Sequence, residues 1–171
     1  GPEIRLGKFT NNEPVELHDG DIYVLTTDNI ECTAENGCIS FKKLPQDVTI
    51  GNKILINDGV IELEVIKVTP TEITCNTISG GMLSNNKGIN VPGIKLSMPY
   101  LSDSDMNDLE FGAKMGFDFI AASFVRTSAD INYLRKYTQS LGWFNVRIIA
   151  KIENLDGVEN IDEILEAADG I

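Results

Sequence analysis

The sequence predicts an α/β fold joined to a smaller all-β segment. From residue 1 to about residue 95, apolar and polar residues alternate in short runs separated by Gly, Asn, Asp and Pro. That is the period of half-buried strands joined by turns. After Pro92-Gly93, helical stripes alternate with continuous apolar runs, as in strands covered on both faces of a parallel sheet. The spacing of these pairs, roughly 25–30 residues, is that of βα units.

The clearest hairpin lies at residues 52–67. Ile54 and Ile56 alternate with polar neighbours, Asn57-Asp58-Gly59 makes the turn, and Ile61, Leu63 and Val65 alternate with Glu62 and Glu64. Asp21 to Leu25, Cys38 to Phe41 and Glu72 to Ile78 are further strand-like runs. Together they predict a small antiparallel barrel or sandwich. Further on, Ser102 is placed to cap a helix whose inner face carries Met106, Leu109 and Ala113, with Gly116 as its stop. Phe117 to Val125 reads as a fully buried parallel strand. Ser128 is placed to cap a second helix carrying Ile131, Leu134 and Leu141, with Gly142 at its end. Val146 to Ile152 is the next strand. Asn160 and Glu163 have capping-box spacing, followed by a stripe of Ile161, Ile164, Leu165 and Ala168. Ile171 reads as the first residue of another strand. Three such units do not close an eight-stranded barrel, so the chain is expected to be a piece of a longer polypeptide.

Composition narrows the function. With 42% hydrophobic and 23% charged residues the chain suits a globular protein with a core. No apolar run approaches bilayer-spanning length. A net charge of −12 argues against nucleic acid and anionic membrane as partners. Cys32, Cys38 and Cys75 lack metal-ligand spacing and read as reduced thiols of a cytoplasmic protein. The sole histidine, His18, lies among Glu16, Asp19 and Gly20 and reads as an exposed turn residue.

The candidate site is Ile148-Ile149-Ala150-Lys151-Ile152-Glu153-Asn154, an apolar run that ends in a cation and a carboxylate two positions apart. Alternate residues of a strand share a face, so Lys151 and Glu153 stand side by side. Such a pair is a structural ion pair or a site for a metal with an anionic substrate. Ligands of βα folds gather at the carboxyl ends of the strands. Ser123, Lys151 and Glu153 all fall at such ends, which favours the second reading.

Several blocks, in order along the whole chain, resemble the pyruvate kinase family. They are Gly1-Pro2-Glu3-Ile4-Arg5, Asn57-Asp58-Gly59-Val60-Ile61, Lys87-Gly88-Ile89-Asn90-Val91-Pro92-Gly93, and Leu101-Ser102-Asp103-Ser104-Asp105 with Asp108-Leu109-Glu110-Phe111-Gly112. Then come Asp118 through Arg126, Ile149 through Asp156, and Asp162-Glu163-Ile164-Leu165-Glu166-Ala167 with Asp169-Gly170-Ile171. Val91 in place of the more usual Leu, and Ser-Asp-Ser-Asp in place of Ser-Glu-Lys-Asp, are mild departures.

The resemblance implies a partial TIM (β/α)8 barrel, residues 89–171, carrying an inserted small antiparallel β-barrel, the lid-like B domain, residues 1–88. It implies phosphoryl transfer from phosphoenolpyruvate to ADP, giving pyruvate and ATP in glycolysis, with Mg²⁺ or Mn²⁺ and K⁺ as cofactors. Lys151 then corresponds to the lysine that neutralises the transferring phosphoryl group, and Glu153 to one of two metal-binding carboxylates. Arg5 and Lys87 correspond to nucleotide-phosphate contacts, while Asp58 and Ser123 are possible cleft residues. Glu3 corresponds to the position whose carboxylate accompanies K⁺ dependence. The K⁺ ligands are expected upstream of Gly1, and the second metal carboxylate after Ile171. The parent is expected to be a cytoplasmic homotetramer, and the 171-residue piece alone is expected to be inactive. Two alternatives stay open: a metal-dependent lyase or aldolase of a pyruvate-like enolate on a related barrel, and a nucleotide-binding β-module acting alone.

Overall fold

A computed structural model describes all of residues 1–171. The chain forms two compact units, one of Glu3–Met98 and one of Gly1–Pro2 with Pro99–Ile171. No helix is long and apolar enough to cross a membrane.

The first unit holds nine strands. They are β1 (Ile4–Arg5), β2 (Val15–Leu17), β3 (Ile22–Thr26), β4 (Asn36–Cys38), β5 (Lys53–Ile56), β6 (Ile61–Val68), β7 (Glu72–Ser79), β8 (Gly81–Leu83) and β9 (Gly88–Asn90). A one-turn helix, α1 (Leu44–Asp47), follows β4. Seven strands form a sheet in the order β1-β9-β5-β6-β7-β3-β4, and β2 pairs with β8. The anticipated hairpin is β5 and β6, in register from Ile56↔Ile61 to Lys53↔Glu64. Its turn takes positive φ at Asn57, Asp58 and Gly59, which is why Asn-Asp-Gly occurs there. Alternation places Ile54, Ile56, Ile61, Leu63 and Val65 in the core, all fully buried.

Two features of this unit differ from the sequence expectation. The β3–β4 pair is parallel, with Leu25 opposite Gly37, so the sheet is mixed. The run Cys38 to Phe41 is a strand only at Cys38, because β4 ends there and Ile39 forms an isolated bridge with Leu6. That bridge has a topological effect. Gly7 donates its amide to the Cys38 carbonyl at 3.0 Å, and Ser40 donates to the Arg5 carbonyl at 3.0 Å. The segment continuing β1 therefore bonds to the segment continuing β4, and the two ends of the sheet meet. Strand β9 pairs with both β1 and β5, so residues 88–98 belong with this unit.

The second unit holds α2 (Asp103–Met115), β10 (Phe119–Ala122), α3 (Ser128–Ser140), β11 (Arg147–Ala150), α4 (Leu155–Glu159) and α5 (Ile161–Ala167). Ser102 caps α2 through a complete capping box with Asp105, and Gly116 ends it in the left-handed conformation, φ 68°. Strands β10 and β11 are parallel in the register Phe119↔Arg147 to Ala122↔Ala150. Gly170 bridges Ile149 in parallel, the start of the third strand expected at the end of the chain.

Three local expectations need correction. Helix α3 is capped at Thr127, with Ser128 as its first helical residue. Asn160 and Glu163 do not form a capping box: Asn160 Nδ2 donates to the Arg126 carbonyl at 3.0 Å, and Glu163 Oε1 accepts the Ser128 amide at 2.8 Å. Both side chains tie α5 to the start of α3 instead. The Phe117–Val125 run is not fully buried either, since β10 is hydrogen-bonded on one side only and Phe119 is 65% exposed.

Candidate active site

The second unit brings Ser123, Lys151 and Glu153 together. Strand β11 stops at Ala150, so Lys151 and Glu153 lie just beyond it in extended backbone. Backbone bonds hold this segment to the end of β10. Lys151 donates its amide to the Ala122 carbonyl at 2.9 Å, and its own carbonyl accepts the Val125 amide at 3.3 Å. Lys151 Nζ lies 2.8 Å from Glu153 Oε1 and 3.3 Å from Ser123 Oγ. Glu153 Oε2 accepts the Phe124 amide at 3.0 Å.

Phe124 has φ 55°, rare for an aromatic residue. This backbone turn aims its N–H at the carboxylate, the kind of conformation found where a site constrains the chain. Burial is the largest influence on the Glu153 carboxyl and acts to raise its pKa. The hydrogen bond from Lys151, the Phe124 amide and the Lys151 charge outweigh burial, and the net shift is downward.

Two further residues fix these loops. Asn154 caps α4 by accepting the Gly157 amide at 2.8 Å, and its Nδ2 donates to the Val125 carbonyl at 3.2 Å. Gly157 packs so closely that a Cβ there would come within 2.6 Å of the Val125 oxygen. The Tyr100 hydroxyl donates to the Ser123 carbonyl at 3.2 Å. Sequence reasoning missed Phe124, Asn154 and Tyr100. Asn154 alone carried a readable signal, an Asn just ahead of a helix.

The magnitudes bear on which reading of Lys151 and Glu153 is stronger. Their side chains are 46% and 32% exposed. An ion pair that exposed contributes about 0–1 kcal/mol to stability, so stability alone is a weak reason for holding these groups together past a strand end. A fixed cation beside an ionised carboxylate is suited to an anionic, metal-assisted substrate. Glu153 supplies hard oxygen donors of the kind Mg²⁺ and Mn²⁺ prefer. No group of three or more His, Cys, Asp or Glu side chains gathers here to complete a metal site.

The first unit gathers the other candidates at one end of its sheet. Arg5 pairs across β1–β9 with Gly88, directly after Lys87. The Gly88 carbonyl accepts the amide of Asn57 at 3.0 Å, which brings the Asp58 turn alongside. Arg5 forms an ion pair with Glu3 and donates to the Asn86 carbonyl at 2.6 Å. His18 stands apart and is exposed, 3.5 Å from Asp21 and 3.8 Å from Glu16.

The second unit thus has the layout of βα enzymes whose ligands gather beyond the carboxyl ends of parallel strands. The family description "Pyruvate kinase, barrel domain" matches residues 1–171. The chain is 44% identical over 173 residues to a pyruvate kinase of Geobacillus stearothermophilus, covering all of this chain and 29% of that protein. It is 42% identical over 174 residues to one of Eimeria tenella and 39% over 177 residues to one of Clostridium perfringens, again over its whole length and over 32% and 36% of theirs. The chain belongs to the pyruvate kinase family, and it spans about a third of the length of these relatives.

Proposed function

We propose that this chain is part of an enzyme that moves a phosphoryl group from phosphoenolpyruvate to ADP, forming pyruvate and ATP in glycolysis. The observation that carries the reading is the Lys151–Glu153–Ser123 cluster beyond β10 and β11, in a chain of this family. Phosphoryl transfer asks for positioning and charge neutralisation more than for covalent chemistry. Lys151 is the group that meets the transferring phosphoryl oxygens. Its charge is fixed in direction by Glu153 and Ser123, so little reorganisation is needed when negative charge shifts. Glu153 would hold the divalent ion, Mg²⁺ or Mn²⁺, which would supply Lewis-acid charge neutralisation to the anionic substrate. The Phe124 amide helps to orient the Glu153 carboxylate.

In this reading the first unit is the lid, a small closed β-barrel inserted into a (β/α)8 barrel of which the second unit is a part. The joining of the sheet's two ends through Gly7–Cys38 and Ser40–Arg5 supports it. Arg5 and Lys87 are its contacts to nucleotide phosphates, and Asp58 in the first unit and Ser123 in the second are possible substrate-side residues. Glu3 goes with a K⁺-dependent enzyme. The parent is a cytoplasmic homotetramer, and the 171-residue chain by itself lacks turnover, since one carboxylate, Glu153, beside a lysine does not make a divalent-ion site. A lyase or aldolase of a pyruvate-like enolate is the alternative for the same Lys/Glu pair.

The deciding experiment is pyruvate formation from phosphoenolpyruvate by the full-length protein, read through lactate dehydrogenase, with and without ADP and with and without Mg²⁺. The reading requires turnover that depends on both. Pyruvate release without ADP, or no pyruvate at all, would count against it.

A further inference from the structure

We propose that Cys32 and Cys38 form a redox-sensitive dithiol, an internal disulfide site opened and closed by exchange with small-molecule disulfides. All three cysteines of the chain are free and buried. Cys32 and Cys38 both turn their sulfurs toward Gly7, and burial is the only influence on the Cys75 thiol. The fold brings them together across one backbone segment. Cys32 donates its amide to the Lys8 carbonyl at 2.8 Å, Phe9 bridges Cys32, and Gly7 donates its amide to the Cys38 carbonyl at 3.0 Å. Gly7 leaves the space in which the sulfurs meet. A Cβ at that position would collide with Cys38 Sγ and lie 3.5 Å from Cys32 Sγ.

A third polar group lies in the same core. The Tyr23 hydroxyl is fully buried without a hydrogen-bond partner; burial is the largest influence raising its pKa, and Cys32 and Cys38 add to it. Gly37 makes room for it, since a Cβ there would lie 2.5 Å from the Tyr23 oxygen. Two thiols and an unsatisfied phenol thus lie within an otherwise apolar core, with Gly7 against the sulfurs and Gly37 against the phenol.

Exposure divides the roles of the two cysteines. Cys38 is 8% exposed and Cys32 is fully buried, so Cys38, the less enclosed residue, is assigned the first attack. Its thiolate attacks one sulfur of a disulfide RSSR, forming Cys38–S–SR and releasing RS⁻. Cys32 then gives up its proton and attacks the Cys38 sulfur, breaking the bond to SR and releasing a second RS⁻. Both protein thiols are oxidised, two electrons pass to RSSR, and the two thiol protons leave on two RSH. Burial pushes the Cys32 thiol up to about 11. The second step is therefore slow; both thiols are free in the structure. Closure would be felt nearby: Ser40, two residues beyond Cys38, brackets Arg5 through bonds of 2.9 and 3.0 Å.

The test is incubation of the folded chain with oxidised glutathione, followed by alkylation of remaining thiols and peptide mass mapping. Trypsin leaves Cys32 and Cys38 on one peptide, residues 9–42, and Cys75 on another. The expected result is loss of two of the three free thiols and a 9–42 peptide lighter by two hydrogens, restored by dithiothreitol. Cys32→Ser should instead accumulate a glutathione adduct on Cys38, and Cys38→Ser should leave Cys32 unmodified. Three free thiols after prolonged oxidation of the folded wild type would overturn the proposal. So would a lasting glutathione adduct on wild-type Cys38, or a crosslink to Cys75.

Discussion

Glu153 divides its two carboxylate oxygens between two donors: Oε1 lies 2.8 Å from Lys151 Nζ and Oε2 lies 3.0 Å from the Phe124 amide. One donor follows β11 and the other follows β10, so the carboxylate ties neighbouring strand ends together. Its geometry thus depends on both loops, and residues that never touch a substrate set the site.

Gly157 is the first such residue. Alanine would favour helix α4 by about 1 kcal/mol through propensity alone. Its Cβ, however, would come within 2.6 Å of the Val125 carbonyl oxygen, which is backbone and cannot rotate away. Overpacking of this kind costs about 1–3 kcal/mol, so the clash should win. Gly157→Ala is expected to lower the denaturant midpoint with the m-value unchanged, and an unchanged or raised midpoint would show that the loop yields easily.

Asp169 contributes to the pH dependence of the second unit. Its carboxylate accepts the Ile148 amide at 2.9 Å and pairs with Arg135 at 3.0 Å and Arg147 at 3.1 Å, joining α3 to the amino end of β11. The Ile148 amide is the largest influence lowering its pKa, burial opposes it, and the two arginines add to the lowering. The result is about 2. A folded-state pKa below the unfolded value, about 3.9, means the carboxylate's contribution is complete above pH 4 and is lost as pH falls toward 2. Wild type should lose stability through this window more steeply than Asp169→Asn. Parallel melting curves for the two between pH 2 and 5 would contradict this.

Glu3 carries the monovalent-ion prediction. A carboxylate leaves room for an added cation, whereas an ammonium at the same place supplies the charge itself. The full-length enzyme should turn over severalfold faster with K⁺ than with tetramethylammonium as the only monovalent cation. Equal rates in the two salts would remove the K⁺ assignment.

Much of this fold was readable from residue patterns. The 54–65 alternation and the Asn57-Asp58-Gly59 turn specify a hairpin, and Ser102 with Gly116 specifies both ends of α2. The parallel β3–β4 pair was not readable, because its contacts join segments without a local turn signal. Asn160 and Glu163 misled for a related reason. Their spacing fits a cap, yet Asn160 finds its partner on the loop before α3 and Glu163 on the first residue of α3, and tertiary partners are invisible to local spacing. At the candidate site, the strand period already placed Lys151 beside Glu153. Phe124 was hidden because its contribution is a backbone N–H set by a positive φ, which no side-chain pattern reports.

Lys151→Met in the full-length protein is the most direct test of the central claim. It removes the charge and keeps much of the side chain's length. Losing a preorganised electrostatic contact at a reacting group typically costs about 10²–10³ in kcat. The account predicts a fall of that order in kcat for pyruvate formation, with the protein folded and the divalent-ion requirement retained. A kcat within a few-fold of wild type would mean that Lys151 serves as a surface ion pair and that the phosphoryl group is neutralised elsewhere.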